Sequence, residues 1–184
     1  MASASIEREA RQVGRRKRPT DETGDAEILR LNNQLCFALY AATRAITKVY
    51  REKLDDLGLT YPQYLVLIVL WETDGLSISD IGNRLMLDSG TVTPVVQRLE
   101  RQKLVRRERS SDDARLVHAH LTDRGRALMA GAGDARRYVA CRLGMSESEI
   151  AALRADVMSL VRQLGTDGAA APSAAAPRRG QRAQ

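Results

Sequence analysis

Residues 26–164 predict a mainly α domain carrying one small β-hairpin, and three observations carry that prediction. Apolar residues recur at three- and four-residue steps over most of the span, helix-start signals precede most of these stripes, and two short β-type runs flank a single polar loop. With 184 residues, 43% of them hydrophobic, the chain has the length of one domain with tails and can bury a core without disulfides or a structural metal.

The first stripe is Ile28, Leu31, Leu35, Ala38, Leu39, Ala42, Ile46 and Val49, which predicts a long helix over about 28–57 with Gly58 as its stop. Thr60 and Gln63 stand at capping-box spacing with Pro62 between them, so a second helix follows over about 61–73. Its run LVLIVLW fits a buried strand by period alone, and the start signals select helix. Ser77 to Asp80 opens a short helix to Leu85, with Gly82 as an unfavourable residue inside it. Asp88-Ser89-Gly90-Thr91 leads into a helix over 89–102 whose Val92, Val95, Val96 and Leu99 form one stripe. Pro94 removes a backbone donor there, so this helix either becomes regular nearer Thr91 or bends. LVRRER (104–109) and LVHAHL (116–121), joined by SSDDAR, read as a hairpin. Thr122-Asp123 then opens a helix to about Leu143. Ser146 and Glu149 form a capping box for a last helix over 147–164, with Ile150, Leu153, Val157, Leu160, Val161 and Leu164 on one side.

The formal charge of +6 is located in the ends of the chain. Residues 1–20 contribute +4 and residues 165–184 contribute +2, while 21–164 hold 20 basic and 20 acidic side chains. The Arg-rich stretch 1–25 and the Ala/Pro-rich stretch 165–184 therefore read as disordered basic tails. Two cysteines make no secretory framework, no apolar leader opens the sequence, and its longest apolar run is far shorter than the ~20 residues that span a bilayer. The expectation is a soluble cytoplasmic protein with reduced thiols and no membrane partner.

A short helix, a tight turn at 86–88 and a second helix make a helix-turn-helix, and the hairpin behind them makes a wing, with the whole lobe spanning about 60–121. If the valines and Leu99 face the core, Ser89, Thr91, Thr93, Gln97, Arg98 and Arg101 face outward, as hydrogen-bonding and cationic groups suited to base edges and phosphates. Arg115 on the wing is placed for the adjacent minor groove. Residues 84–115 hold eight basic and five acidic side chains, whereas 52–80 hold one Lys and six acids, so the neutral segment is polarised as a DNA-facing lobe requires.

These residues resemble the MarR winged-helix regulators over about 28–164, with Asp113-Ala114-Arg115 matching the family's wing motif Asp-x-Arg. The strings NNQLCFALYAA (32–42), LTYPQYLVLIVLWE (59–72) and LDSGTVTPVVQRLE (87–100) are similar to the organic hydroperoxide resistance repressors within that family. The resemblance implies a homodimer joined through its N- and C-terminal helices. It also implies a repressor of a pseudo-palindromic operator in double-stranded DNA, with an organic hydroperoxide as signal and no cofactor.

Cys36 is the implied sensor. Six of the seven aromatic residues lie in the 35 positions after it, and Phe37, Tyr40, Tyr50 and Tyr61 are the expected thiol pocket, in which phenol hydroxyls favour a thiolate and the rings suit an alkyl peroxide. On a straight helix Tyr50 shares a face with Cys36 but lies about 21 Å along the axis, so it cannot serve the thiol of its own chain. The resemblance implies that Tyr50 and Tyr61 bond the reactive cysteine across a dimer, and that Cys141 closes an intersubunit disulfide with an oxidised Cys36. His118 and His120 alternate on the second wing strand. Two ligands without a third are too few for a metal site, and they read as solvated strand residues. Two other functions remain open on sequence alone: a repressor released by a small aromatic ligand without covalent change, and a thiol peroxidase.

Overall fold

A computed structural model describes residues 24–167 apart from 112, 114 and 115. They form two compact units that divide in sequence between Lys48 and Val49. The expected tails, 1–25 and 165–184, fall almost entirely outside the described residues, as does Arg115.

The first unit holds α1 (Asp25–Ile28), a 3-10 turn (Leu31–Asn33) and the opening turns of α2 (Leu35–Leu54). A single helix from residue 28 was the expectation, and polar side chains explain why it fails. Gln34 donates to the Ile28 carbonyl at 2.6 Å and Asn33 to the Glu27 carbonyl at 2.8 Å, while Arg30 and Gln34 take extended backbone angles. Such local bonds compete with the helical ladder. None of this unit's described side chains is buried.

The second unit begins with the rest of α2, which ends at Leu54 rather than 57. The Leu59 N–H reaches the Leu54 carbonyl at 2.9 Å around Gly58, whose φ of +66° suits glycine. It continues through α3 (Tyr61–Glu72), β1 (Leu76–Ser77), α4 (Ile78–Leu85), α5 (Ser89–Arg101), β2 (Val105–Arg109), β3 (Val117–Leu121), α6 (Asp123–Ala127), α7 (Met129–Leu143) and α8 (Glu147–Asp167). The expected two-stranded hairpin is a three-stranded antiparallel sheet in the order β1-β3-β2, with Leu76 opposite Ala119 and Val105 opposite Leu121. The expected helix over 122–143 divides at Leu128, whose ψ of −14° departs from the helical value near −42°.

The core is built where the sequence placed it. Leu67, Leu70, Ile81, Val92, Val96, Leu99, Val105 and Ala119 are all essentially inaccessible. Side-chain caps hold the starts of three of these helices: Ser77 accepts from the Asp80 N–H, Asp88 from Thr91 and Thr122 from Gly125. At the head of α8, Ser146 and Glu149 bond each other's backbone in a full capping box. Gly82 proves necessary rather than tolerated. A β-carbon there meets the Leu87 carbonyl oxygen at 2.6 Å, because the Leu87 N–H bonds the Gly82 carbonyl and closes the turn through left-handed Met86.

Candidate nucleic-acid interface and thiol site

The reading helix α5 starts at Ser89, so Pro94 lies inside it. Asp88 fixes the entry: its carboxylate accepts from the Thr91 N–H at 2.8 Å and from the Thr91 hydroxyl at 2.9 Å. Those bonds hold its pKa below the usual range. Of the expected stripe Val92, Val96 and Leu99 are buried, and Val95 is half-buried against the same core. Ser89, Thr91, Gln97, Arg98 and Arg101 are exposed, and Thr93 is half-buried. Two of the expected DNA contacts are more constrained than the sequence suggested. The Thr91 hydroxyl donates to Asp88 and the Thr93 hydroxyl to the Ser89 carbonyl at 2.6 Å, so in this arrangement each offers DNA an acceptor rather than a donor.

The wing is tied to this helix by charge. Arg107 donates from its side chain to Glu100 at 2.7 Å and from its backbone N–H at 3.1 Å, while Arg106 pairs with Glu108 at 2.9 Å. Arg107 thus braces the wing against α5, whereas the Arg106–Glu108 pair lies within β2, and Arg98 and Arg101 in the last turn of α5 are exposed. Asp113 is exposed at the wing tip, where its carbonyl accepts from the Leu116 N–H at 2.9 Å. His118 and His120 are half-buried rather than fully solvated: His118 Nδ1 lies 3.0 Å from the Gly75 carbonyl, and His120 lies 3.9 Å from Glu108. Among the described residues no three His, Cys, Asp or Glu side chains are grouped to hold a metal ion.

The expected thiol residues are divided between the two units. Cys36, Phe37 and Tyr40 are exposed in the first, where Arg44 donates to the Tyr40 hydroxyl at 2.8 Å and stacks over its ring. In the second unit Tyr50 and Tyr61 do come together, with ring centroids 5.2 Å apart. Tyr64 completes the cluster, 5.4 Å from Tyr50 and 6.1 Å from Tyr61. Its spacing from Tyr61 along a helix was the available signal, although Tyr64 was not among the expected pocket residues. Burial, then the adjacent Tyr64 phenol, push the Tyr50 hydroxyl up to about 12. Arg136 supplies positive charge beside Tyr50 and Tyr64 while its guanidinium bridges both carboxylate oxygens of Glu147 at 3.3 and 3.1 Å. Cys141 is exposed near the end of α7, one turn beyond Tyr138, whose hydroxyl donates to Glu52 at 2.7 Å. A groove of about 670 Å³ lies along Tyr64, Ile68, Trp71, Met129, Arg136 and Arg154.

A helix-turn-helix with its apolar face in the core, a wing tied to its second helix and an outward polar face defines a winged-helix DNA-binding regulator. The MarR family profile matches residues 59–117. The chain is 44% identical to the HTH-type transcriptional regulator TtmR of Methylorubrum extorquens, over 86% of this chain and 81% of that protein. It is 49% identical to the organic hydroperoxide resistance transcriptional regulator of Bacillus subtilis, over 58% of this chain and 72% of that one. Among solved structures, reduced AbfR bound to DNA aligns with a TM-score of 0.64 at 35% identity, covering 76% of this chain and 96% of AbfR. A disulfide-formed AbfR aligns with a TM-score of 0.53 at 35% identity, covering 77% and 94%. The chain belongs to the MarR family, and it is a transcriptional regulator like its named relatives, not a thiol peroxidase. No described helix is long and apolar enough to cross a membrane.

Proposed function

We propose that the protein is a cytoplasmic, homodimeric repressor that holds a pseudo-palindromic operator when reduced and leaves it when Cys36 is oxidised by an organic hydroperoxide. The observation that carries this reading is the pair of free, exposed cysteines, with a cluster of three tyrosines in the same chain. The names of the Bacillus subtilis relative and of disulfide-formed AbfR point the same way. In the proposed chemistry the Cys36 thiolate attacks one peroxide oxygen, an S–O bond forms as the O–O bond breaks, and the alkoxide leaves as the alcohol after taking a proton. The peroxide gains two electrons and the sulfur becomes a sulfenic acid. The Cys141 thiol of the second chain then displaces water to give a disulfide.

Phe37, Tyr40, Tyr50 and Tyr61 are proposed to surround the reacting sulfur. Ser89, Thr91, Thr93, Gln97 and Arg98 are proposed to read DNA with Asp113 and Arg115 of the wing. Dimerisation through the terminal helices is supported by the apolar surface they leave uncovered, with Leu31, Leu35, Leu153 and Leu164 each more than half exposed.

The test is a non-reducing gel and an operator-binding assay after addition of cumene hydroperoxide. The wild type should form a covalent dimer and release DNA, whereas Cys36→Ser should bind DNA and do neither. Covalent dimer that persists in Cys36→Ser or Cys141→Ser would refute the pairing. The groove lined by Trp71, Arg136 and Arg154 favours a second reading, release by an aromatic anion. That reading predicts a Cys36→Ser protein that still responds to its signal.

A further inference from the structure

The first turn of α3 is gripped on two sides. On one side Tyr61 and Tyr64 stack with Tyr50. Two positions after Tyr61, about 200° around the helix, Gln63 is 4% exposed and uses both the oxygen and the nitrogen of its amide. Its oxygen accepts from the Thr60 N–H at 2.8 Å and the Thr60 hydroxyl at 3.0 Å, and its nitrogen donates to Gln102 Oε1 at 3.0 Å. Gln102 is the C-cap of the reading helix α5, and its own amide nitrogen donates to the Gly58 carbonyl at 2.9 Å. A closed loop of side-chain amides therefore joins the end of the reading helix to the turn that carries the tyrosine cluster.

We infer that Gln102 and Gln63 form a positioning link through which the tyrosine cluster sets the orientation of the reading helix. An amide pair is directional, and because Gln63 is buried its amide cannot leave half-buried Gln102 without losing a partner that water does not readily replace. Displacement of the first turn of α3 therefore moves the C-terminus of α5 with it, while the apolar contacts of Val92, Val96 and Leu99 allow small rotations at lower cost. The link rests on the proposed role of the tyrosine cluster as the sensing site, but its existence does not depend on any oxidant.

The experiment is a double-mutant cycle on the full-length reduced protein, read as affinity for a duplex selected by the wild type from a randomised pool. Tyr61→Ala should change that affinity in the wild-type background. In Gln102→Met, which keeps length and removes both amide bonds, the same Tyr61→Ala change should differ by roughly threefold or more. Gln102→Glu keeps the acceptor for Gln63 but loses the donor to the Gly58 carbonyl, so it should restore the effect of Tyr61→Ala in part, between Gln102→Met and the wild type. Equal effects of Tyr61→Ala in all backgrounds, or no effect in any, overturn the link. Circular dichroism and denaturation midpoints on the same variants separate loss of coupling from loss of folding. Because no peroxide is added, a failed peroxide response in the wild type counts against the sensing mechanism alone and leaves this cycle decisive for the link.

Discussion

The lobe between α3 and β3 and the last helix, α8, have similar apolar stripes in sequence and opposite fates in the structure. In the lobe the stripes of α4 and α5 close on the continuous apolar run of α3, and Leu67, Ile81 and Leu99 are each 0% exposed. In α8 the stripe of Leu153, Val157, Leu160, Val161 and Leu164 leaves no residue buried, and Leu164 is 66% exposed. The same holds for the first unit, where Leu31 and Leu35 are open to solvent. A lobe that completes its core within one chain can be a rigid reader of DNA. Helices that leave apolar faces uncovered have the character of an interface, as the proposed dimer requires.

The sharpest way to break that contrast is to delete matching atoms from both regions. Leu67→Ala should cost about 2–5 kcal/mol in urea unfolding, because it opens a cavity in a closed core. Leu153→Ala should cost far less, under about 1 kcal/mol, at protein concentrations where the chain is monomeric, since its side chain is 53% exposed. Equal losses would show that α8 is packed by its own chain.

A second test addresses what covers α8. Paired substitution of Val161→Glu and Leu164→Glu should leave the lobe folded by circular dichroism yet weaken self-association tenfold or more, equivalent to about 1.4 kcal/mol, in sedimentation across a dilution series. An unchanged dimer would move the interface elsewhere and remove the reason offered for the uncovered stripe. On the proposed reading of a dimer on a pseudo-palindromic operator, affinity for that operator should fall with self-association, because each half-site then binds alone.

Much of the fold was legible because its signals are local. Ser77, Asp88, Thr122 and Ser146 cap helices at or beside the positions where the capping pattern placed them, and Val92, Val96 and Leu99 face inward as their spacing requires. What escaped the sequence is non-local or competes with a local rule. Strand β1 is only two residues long and exists because β3 accepts it as a neighbour. The break before α2 comes from Asn33 and Gln34 bonding backward, which the apolar stripe running through them conceals. Gln63 looked like an ordinary capping residue, and nothing in its neighbourhood announced a bond to Gln102, 39 positions away. In the candidate thiol site, the aromatic clustering after Cys36 was visible as composition, but only the folded chain shows that Tyr64 belongs with Tyr50 and Tyr61.

The smallest effect concerns ionisation and tests whether the second unit packs its tyrosines as tightly as its aliphatic core. Burial and the neighbouring phenol raise Tyr50 from 10.0 to about 12 in the folded chain. Below pH 10 the hydroxyl keeps its proton in both folded and unfolded states, so it imposes no pH dependence. Between 10 and 12 the unfolded chain releases that proton while the folded chain retains it, so stability falls as pH rises through this window. Tyr50→Phe removes the contribution and should make the alkaline decline shallower, with a late-ionising phenol missing from the ultraviolet titration of tyrosinate. If Tyr50→Phe leaves the alkaline slope unchanged, Tyr50 is solvated rather than packed, and the cluster loses the rigidity needed to pass a displacement through Gln63 to the reading helix.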